Sequence, residues 1–539
     1  MIRRLFCSKI NSITIAAILV ASSSLISRAL GILRDRILAG QFGAGDDLDI
    51  YYAAFRIPDL VFNLIVLGAL SAGFIPIFTS LIKEEKKSDR NKEAWDLASN
   101  IFNIMLVAVM VLSVIGIIFA PYLMKWITPG FGKEKLEMTI ILTRIMFLSP
   151  ILLGVSSVLG GVLQSFKRFF LYSLSPVFYN VGIIVGAIWF VPIWGMYGLA
   201  WGVILGSILH LLIQLPAIIS LGFKYRLTFQ FTKAVRNVCK MMTARTLSLA
   251  INQINLVVTT IVASTLVSGS LAVFNLANNL QSFPIGIFGI SFAIAVFPVL
   301  SAHAFDRPKL VEYFSKTMRQ ILFFVIPSTI LMIVLRAQIV RVILGSGKFD
   351  WQDTIMTIDA LTYFAISFFA QATIPLLTRM FYARHNSKTP FYVGLGSVAL
   401  NIILSLYFSK SMGVAGLALA FSISSVLNFL LLILVLRYEV GKLDEFRIVI
   451  STLKFCLAAM SGGIVAQALK IIVEPFVTLT KFWGILAQGV VAGVGGLIVY
   501  FLVCSILRSQ EWIDLWDSFK CRFSWKKIKT GDHGEARGI

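Results

Sequence analysis

Apolar stretches long enough to cross a bilayer recur from one end of this 539-residue chain to the other. Clear examples are 101–123, 181–219, 395–436 and 486–507, the second and third being pairs with a short break. A membrane-spanning helix needs about 20 predominantly apolar residues. No long polar segment separates the runs, which leaves no room for a soluble catalytic domain. The expected class is an all-α polytopic membrane protein.

Composition points the same way. Hydrophobic residues make up 58% of the chain and charged residues 14%, with a mean hydropathy of +0.86. A soluble domain is about 25% charged, so this chain lacks the charge to cover a water-facing surface. The net charge of +22 would suit nucleic acid only as a basic face on a soluble module. Here most cations sit between apolar runs, so no nucleic-acid partner is expected. The start is basic (Arg3, Arg4, Lys9), then apolar, then interrupted by Arg28, Arg34, Asp35 and Arg36. A cleavable signal would end at a small-residue site before a polar mature chain; more apolar runs follow instead, so this segment reads as a retained first helix. Five cysteines (Cys7, Cys239, Cys456, Cys504, Cys521) and four histidines are scattered without metal-ligand spacing, so neither cofactor nor metal is expected.

Apolar runs and breaks place helices near 10–40, 49–82, 97–124, 136–165, 173–193, 196–220, 236–267, 270–301, 311–337, 352–382, 390–408, 411–437, 450–472 and 482–507, about fourteen spans by the length criterion. Cytoplasmic loops carry an excess of Lys and Arg. With the amino terminus inside, the even-numbered breaks hold most cations: Lys83 to Lys92, Lys167-Arg168, Lys224 to Lys240, Arg307 to Arg319, Arg379 to Lys388 and Arg437 to Arg447. The first break has Asp46, Asp47 and Asp49 and no cation. The third (Lys125, Lys133, Lys135) and ninth (Arg341, Lys348) are exceptions. Both termini are therefore expected in the cytoplasm.

An internal repeat divides the chain. Gly195-Met-Tyr-Gly198-Leu199-Ala200 recurs 218 residues later as Gly413-Val-Ala-Gly416-Leu417-Ala418. Phe74-Ile75-Pro76 pairs loosely with Val296-Phe297-Pro298, each following a proline, Pro58 or Pro284. Six helices repeated as six is the pattern of a two-lobe transporter. The expected domains are lobes at 1–222 and 223–440, two further helices at 441–508, and a basic amphipathic tail at 509–539. In that tail Trp512, Leu515, Trp516, Phe519 and Phe523 share a helical face before Lys526, Lys527 and Lys529, as in an interfacial helix held to membrane lipids.

Charges inside the apolar runs point to function, because an Arg or Asp at mid-helix costs roughly 2.5–3.5 kcal/mol on insertion scales. Arg28 and Asp35 lie two turns apart and share a face of the first helix, with Arg34 adjacent. Gly31 between them allows a bend or a close approach. Two guanidinium groups suit a phosphate-bearing ligand. A blander account makes Arg34-Asp35-Arg36 the snorkelling end of a shorter helix; Arg28, deeper in the run, resists it. Arg56, Arg144 and Arg245 add further cations, and Arg245 precedes a polar stripe of Ser248, Asn252, Gln253 and Asn255. For Arg144 and His210, helix packing weighs as much as ligand contact. Acids are fewer: Asp35, Asp49, Asp59 and Asp359. Excess positive charge favours an anionic cargo. No HExxH, GxSxG or Walker motif is present, so no enzyme is expected. The driving force is an ion gradient with a coupling ion, the membrane potential or the substrate gradient.

The segments Ser27-Arg28-Ala-Leu-Gly31-Ile-Leu-Arg34-Asp35, Phe42-Gly43-Ala44-Gly45, Ala54-Phe55-Arg56-Ile-Pro58 and Gly68-Ala69-Leu70-Ser71-Ala-Gly-Phe74-Ile-Pro76 closely resemble the amino-terminal signature of the MurJ (MviN) family. These are lipid II flippases of peptidoglycan synthesis, in the multidrug/oligosaccharidyl-lipid/polysaccharide exporter superfamily. Weaker matches extend the similarity over about residues 10 to 440. The resemblance implies a V-shaped pair of six-helix lobes around a cationic cavity, two extra helices forming a groove for the polyprenyl tail, and a bacterial inner-membrane location. The implied cargo is undecaprenyl-diphosphate-linked muropeptide, moved outward by alternating access. Ser27, Arg28, Arg34, Asp35, Asp49 and Asn180 match family positions tied to function. Two departures stand out: Phe62-Asn63 and Leu67 replace an Arg-Arg and a Glu of helix two, and Asn278-Asn279 replace an Asp-Arg of helix eight, leaving Arg245 and Arg144 to compensate. The rivals are a flippase for another polyprenyl-diphosphate-linked oligosaccharide, a drug/cation antiporter of the superfamily, and a non-transporting scaffold of wall synthesis.

Overall fold

The computed structural model describes residues 13–67, 73–82, 92–223 and 225–523, and these are mostly helical, with no strand among them. Helical segments stand at each expected place. Ten are long and apolar enough to cross a membrane, and the bent pair Trp351–Ala365 and Phe368–Ala383, which meet at 48°, makes up to eleven. Fourteen spans are therefore not established by length and apolarity. The other three helices carry the polar load. They are Ile13–Phe42, with its arginines; Asp46–Val61, which runs into a π-helical turn at Phe62–Leu67; and Lys233–Ser264, apolar only over Ala250–Ser264.

The chain forms two compact units. The first comprises residues 1–283, 339–367 and 387–431. In it the Phe169–Val185 helix packs on both the first helix and Met196–Leu212. Glycines permit the second contact: a Cβ on Gly182 would stand 2.2 Å from Gly206 Cα, and one on Gly186 2.3 Å from Gly202 Cα. A closely packed apolar core around Phe74, Phe78, Leu97 and Ile101 supports the second helix.

The repeated motif has one geometry in both copies. Gly195 (φ 57°, ψ −140°) and Gly413 (φ 57°, ψ −134°) each end one helix and open the next, in a conformation that disfavours a side chain. Three residues on, a Cβ at Gly198 would meet the Phe190 carbonyl carbon at 2.3 Å, and one at Gly416 the Phe408 carbonyl oxygen at 2.4 Å. The paired prolines also match, since Pro58 precedes the π turn at Phe62–Leu67 and Pro284 the one at Ile285–Ile290. Such turns mark functional positions more often than chance.

The second unit comprises residues 284–338, 368–386 and 432–539. Glu445–Val473 packs along both Arg307–Val334 and Phe482–Ile506. The Tyr500 hydroxyl donates to the Phe323 carbonyl at 2.6 Å. The tail helix runs from Gln510 to Phe523 and stacks Trp512 on Phe501 (4.9 Å) and on Trp516 (5.6 Å). The Phe519 and Phe523 side chains, and Lys526, Lys527 and Lys529, lie outside the described residues.

Candidate functional site

The first helix brings four of the expected site residues into one network. Arg34 donates from Nε (3.1 Å) and Nη2 (2.8 Å) to Asp35 Oδ1, and from Nη1 to Asn180 Oδ1 at 3.2 Å. Asn180 in turn donates to the Ser27 carbonyl (3.3 Å) and hydroxyl (3.4 Å). Asp35 is almost buried, its side chain 6% exposed, whereas that of Arg34 is 21% exposed. A guanidinium oriented by a carboxylate and an amide, yet open on one side, is suited to receive an anion. Asp35 does not pair with Arg28, its partner by helical face. Arg28 reaches the Ser282 carbonyl at 3.2 Å. Gly31 makes no close approach: a Cβ there would meet nothing within 4 Å.

The residue that sequence reasoning missed is Asn279, whose amide donates to Asp35 Oδ2 at 2.9 Å. Its signal was the amide pair Asn278-Asn279 in an apolar run, noted as a departure rather than as a partner. Arg56 is held by Thr260 and Asn275, each at 2.7 Å. The Arg245 side chain lies outside the described residues. Of its polar stripe, Asn255 accepts from Asn401 at 2.6 Å. Arg144 is exposed and donates to the Ile117 carbonyl, while His210 bonds Ser156 at 2.7 Å, a contact between packed helices.

Asp49 belongs to a different cluster. Its carboxylate accepts from the backbone amides of Gly269 (2.8 Å) and Ala272 (2.9 Å) and from Lys135 (2.8 Å). It thus caps the amino terminus of the Ser270–Pro284 helix, where unpaired N–H groups and the helix dipole favour an anion. Lys135 also binds Asp46, as does the Ser268 hydroxyl, and the two together hold Asp46 below the ordinary carboxylate range. Lys135 was an exception to the loop-charge pattern, and this pairing gives it a local reason. Nearby, the Ala44 amide donates to Asp353 (2.8 Å) and the Lys348 amide to the Gly40 carbonyl (2.8 Å). A Cβ on Gly269 would stand 1.6 Å from the Ala44 carbonyl oxygen, so only glycine fits this contact.

The described residues thus form a many-helix membrane protein whose first helix holds Arg34 between Asp35 and Asn180. Solved structures share the fold. A lipid II flippase MurJ in an inward-closed conformation superposes with a TM-score of 0.75 at 24% identity, covering 91% of this chain and 98% of that one. An inward-facing multidrug resistance MATE transporter of the MOP superfamily does so at 0.64 and 16% identity, covering 80% and 99%. The family model described as "Lipid II flippase MurJ" matches residues 38–487. A probable lipid II flippase MurJ of Buchnera aphidicola subsp. Baizongia pistaciae is 30% identical over 417 residues, 76% of this chain and 80% of that protein. The lipid II flippase MurJ of Burkholderia cenocepacia is 30% identical over 433 residues, 78% and 83%. The chain belongs to the lipid II flippase MurJ family.

Proposed function

We propose that this chain is a lipid II flippase, a transporter that moves undecaprenyl-diphosphate-linked peptidoglycan precursor from the inner to the outer leaflet of the bacterial inner membrane by alternating access. The observation that carries the reading is the family match across residues 38–487, which begins just after Arg28, Arg34 and Asp35 and takes in their partners Asn180 and Asn279. The physical chemistry of the first helix supports it. Arg28 and Arg34 hold the diphosphate, Asp35 and Asn180 orient Arg34, and Ser27 positions Asn180. When cargo leaves, Asp35 remains as counter-ion to Arg34, so the empty carrier does not present a bare cation to lipid. Asp49 acts apart from the cargo in this reading: with Lys135 it ties the loop after the first helix to the start of the Ser270–Pro284 helix, closing the outer end. Arg245 supplies further positive charge.

The proposal includes the lobes at 1–222 and 223–440, the added helices at 441–508, the tail at 509–539, cytoplasmic termini, and an ion gradient, the membrane potential or the substrate gradient as driving force.

The test is depletion of a host's own lipid II flippase with this gene supplied, reading lipid II in the outer leaflet. The wild type restores it, and Arg28→Ala and Arg34→Ala do not, at equal expression. Failure of the wild type to restore it despite good expression overturns the proposal. Restoration by both arginine variants would instead point to a scaffold role.

A further inference from the structure

In the second unit the Gln510–Phe523 helix borders two cavities that share Lys316, Gln320, Glu511 and Asp514. One, of about 390 Å³, also has Glu312, Arg319, Asp444 and Arg447 in its wall. The other, of about 460 Å³, adds Asp517 and the aromatic rings of Phe292, Phe323 and Phe324. Both volumes are in the range of small-molecule sites.

The charges in these walls divide into two groups. Arg319 and Glu511 neutralise each other in a buried ion pair, their side chains 7% and 4% exposed. The hydroxyls of Ser509 (2.8 Å) and Ser451 (3.3 Å) donate to the same carboxylate. Asp444 accepts from the Ser315 hydroxyl at 2.7 Å. The second group is more open: Lys316 and Arg447 against Glu312, Asp514 and Asp517, with Lys316 and Asp514 no closer than 3.9 Å. The buried Arg319 Nε also lacks an acceptor among the described residues.

A purely anionic ligand would meet three carboxylates here, and a purely cationic one would meet Lys316 and Arg447. A ligand with both signs a few ångströms apart and an apolar continuation satisfies the whole wall. Its phosphate pairs with Lys316 and Arg447, its ammonium with Asp514 and Asp517, and its first methylenes lie on Phe292, Phe323 and Phe324. The tail helix fits that depth, because stacked tryptophans beside charged residues are characteristic of the membrane interface. We propose that this double cavity binds the headgroup of a zwitterionic, amine-bearing phospholipid such as phosphatidylethanolamine.

The test uses the full chain in phosphatidylglycerol nanodiscs, with brominated phosphatidylethanolamine or brominated phosphatidylglycerol added at equal low mole fraction. The Trp512 signal is the wild-type emission less that of Trp512→Phe. Brominated phosphatidylethanolamine should quench it at a several-fold lower mole fraction than brominated phosphatidylglycerol. The double variant Asp514→Asn/Asp517→Asn, which leaves the Arg319–Glu511 pair in place, should remove the preference. Native mass spectrometry checks this without the tryptophan: phosphatidylethanolamine adducts should predominate from mixed-lipid nanodiscs for the wild type and not for the double variant. Equal quenching by both lipids, or a preference that survives in the double variant, overturns the proposal. Neither readout requires transport, so its failure is separate from failure of the flippase reading.

Discussion

At the scale of single residues, the first helix illustrates how far spacing can lead. Helical periodicity put Arg28 and Asp35 on one face, but the ion pair forms between Arg34 and Asp35, neighbours in sequence, because Arg34 is also drawn to Asn180. That partner lies 146 residues away, and no local pattern reveals it. Asn279→Ala removes the donor from Asp35 Oδ2 while keeping the Arg34 pair. A hydrogen bond to a charged group is worth about 1.5–3 kcal/mol, so flipping should fall roughly tenfold or more without loss of expression. Complementation titrated by expression level measures this, and wild-type activity would remove Asn279 from the site. The outer cluster gives a second prediction. Asp49→Ala leaves two helix-terminal amides without their acceptor and takes one of two carboxylates from the nearly buried Lys135, which keeps Asp46. It should cost about 2–4 kcal/mol of stability, read as a lower thermal midpoint in detergent. The Asp46–Lys135 pair adds a pH dependence. A depressed carboxylate contributes stability above its unfolded pKa and loses it as pH falls through the folded value. The difference in thermal midpoint between wild type and Lys135→Met should therefore hold at neutral pH and shrink in acid.

At the scale of elements, apolar run length was sufficient for the ten helices long and apolar enough to cross a bilayer, because the bilayer imposes one length on every crossing, but not for the three polar ones. Their interruptions were less legible. The π turn at Gly186–Phe190 has no proline within it, and it coincides with the approach of Gly186 to Gly202 on the facing helix, a tertiary event. Glycines that look alike in sequence differ for the same reason. Gly31 lies in an open part of the first helix, whereas Gly182, Gly202 and Gly206 let two helices approach at backbone distance. Gly31→Ala should therefore express and function as wild type, with a slight gain from helix propensity. Gly202→Val should drive its side chain into the backbone around Gly186 and sharply reduce folded protein, as measured by the monodisperse fraction in size-exclusion chromatography. Equal yields of the two variants would contradict the glycine-to-glycine packing.

At the scale of the whole molecule, the charge distribution and the functional reading make one joint demand on orientation. A carrier that exports a diphosphate needs its outer closure on the side away from precursor synthesis. The cluster assigned to that closure joins Asp46 and Asp49 of the cation-free first break to Ser268 and to Lys135 of the third, an exception in loop charge, while Lys167-Arg168 and Arg384 to Lys388 occupy breaks expected inside. The hydrogen bonds tie these breaks together, and the loop charges set which side of the membrane they face. The closure is the outer one only if the first break faces the outside. In a cysteine-free version, a cysteine at Asp47 should react with a membrane-impermeant maleimide in intact spheroplasts. A cysteine at Lys167 or Lys388 should react only after permeabilisation. Asp47 lies beside the cluster but takes no part in its ion pairs, so its replacement leaves the closure intact. Labelling at Lys388 from outside would reverse the orientation of the chain and with it the assignment of the Asp49 cluster to the outer end.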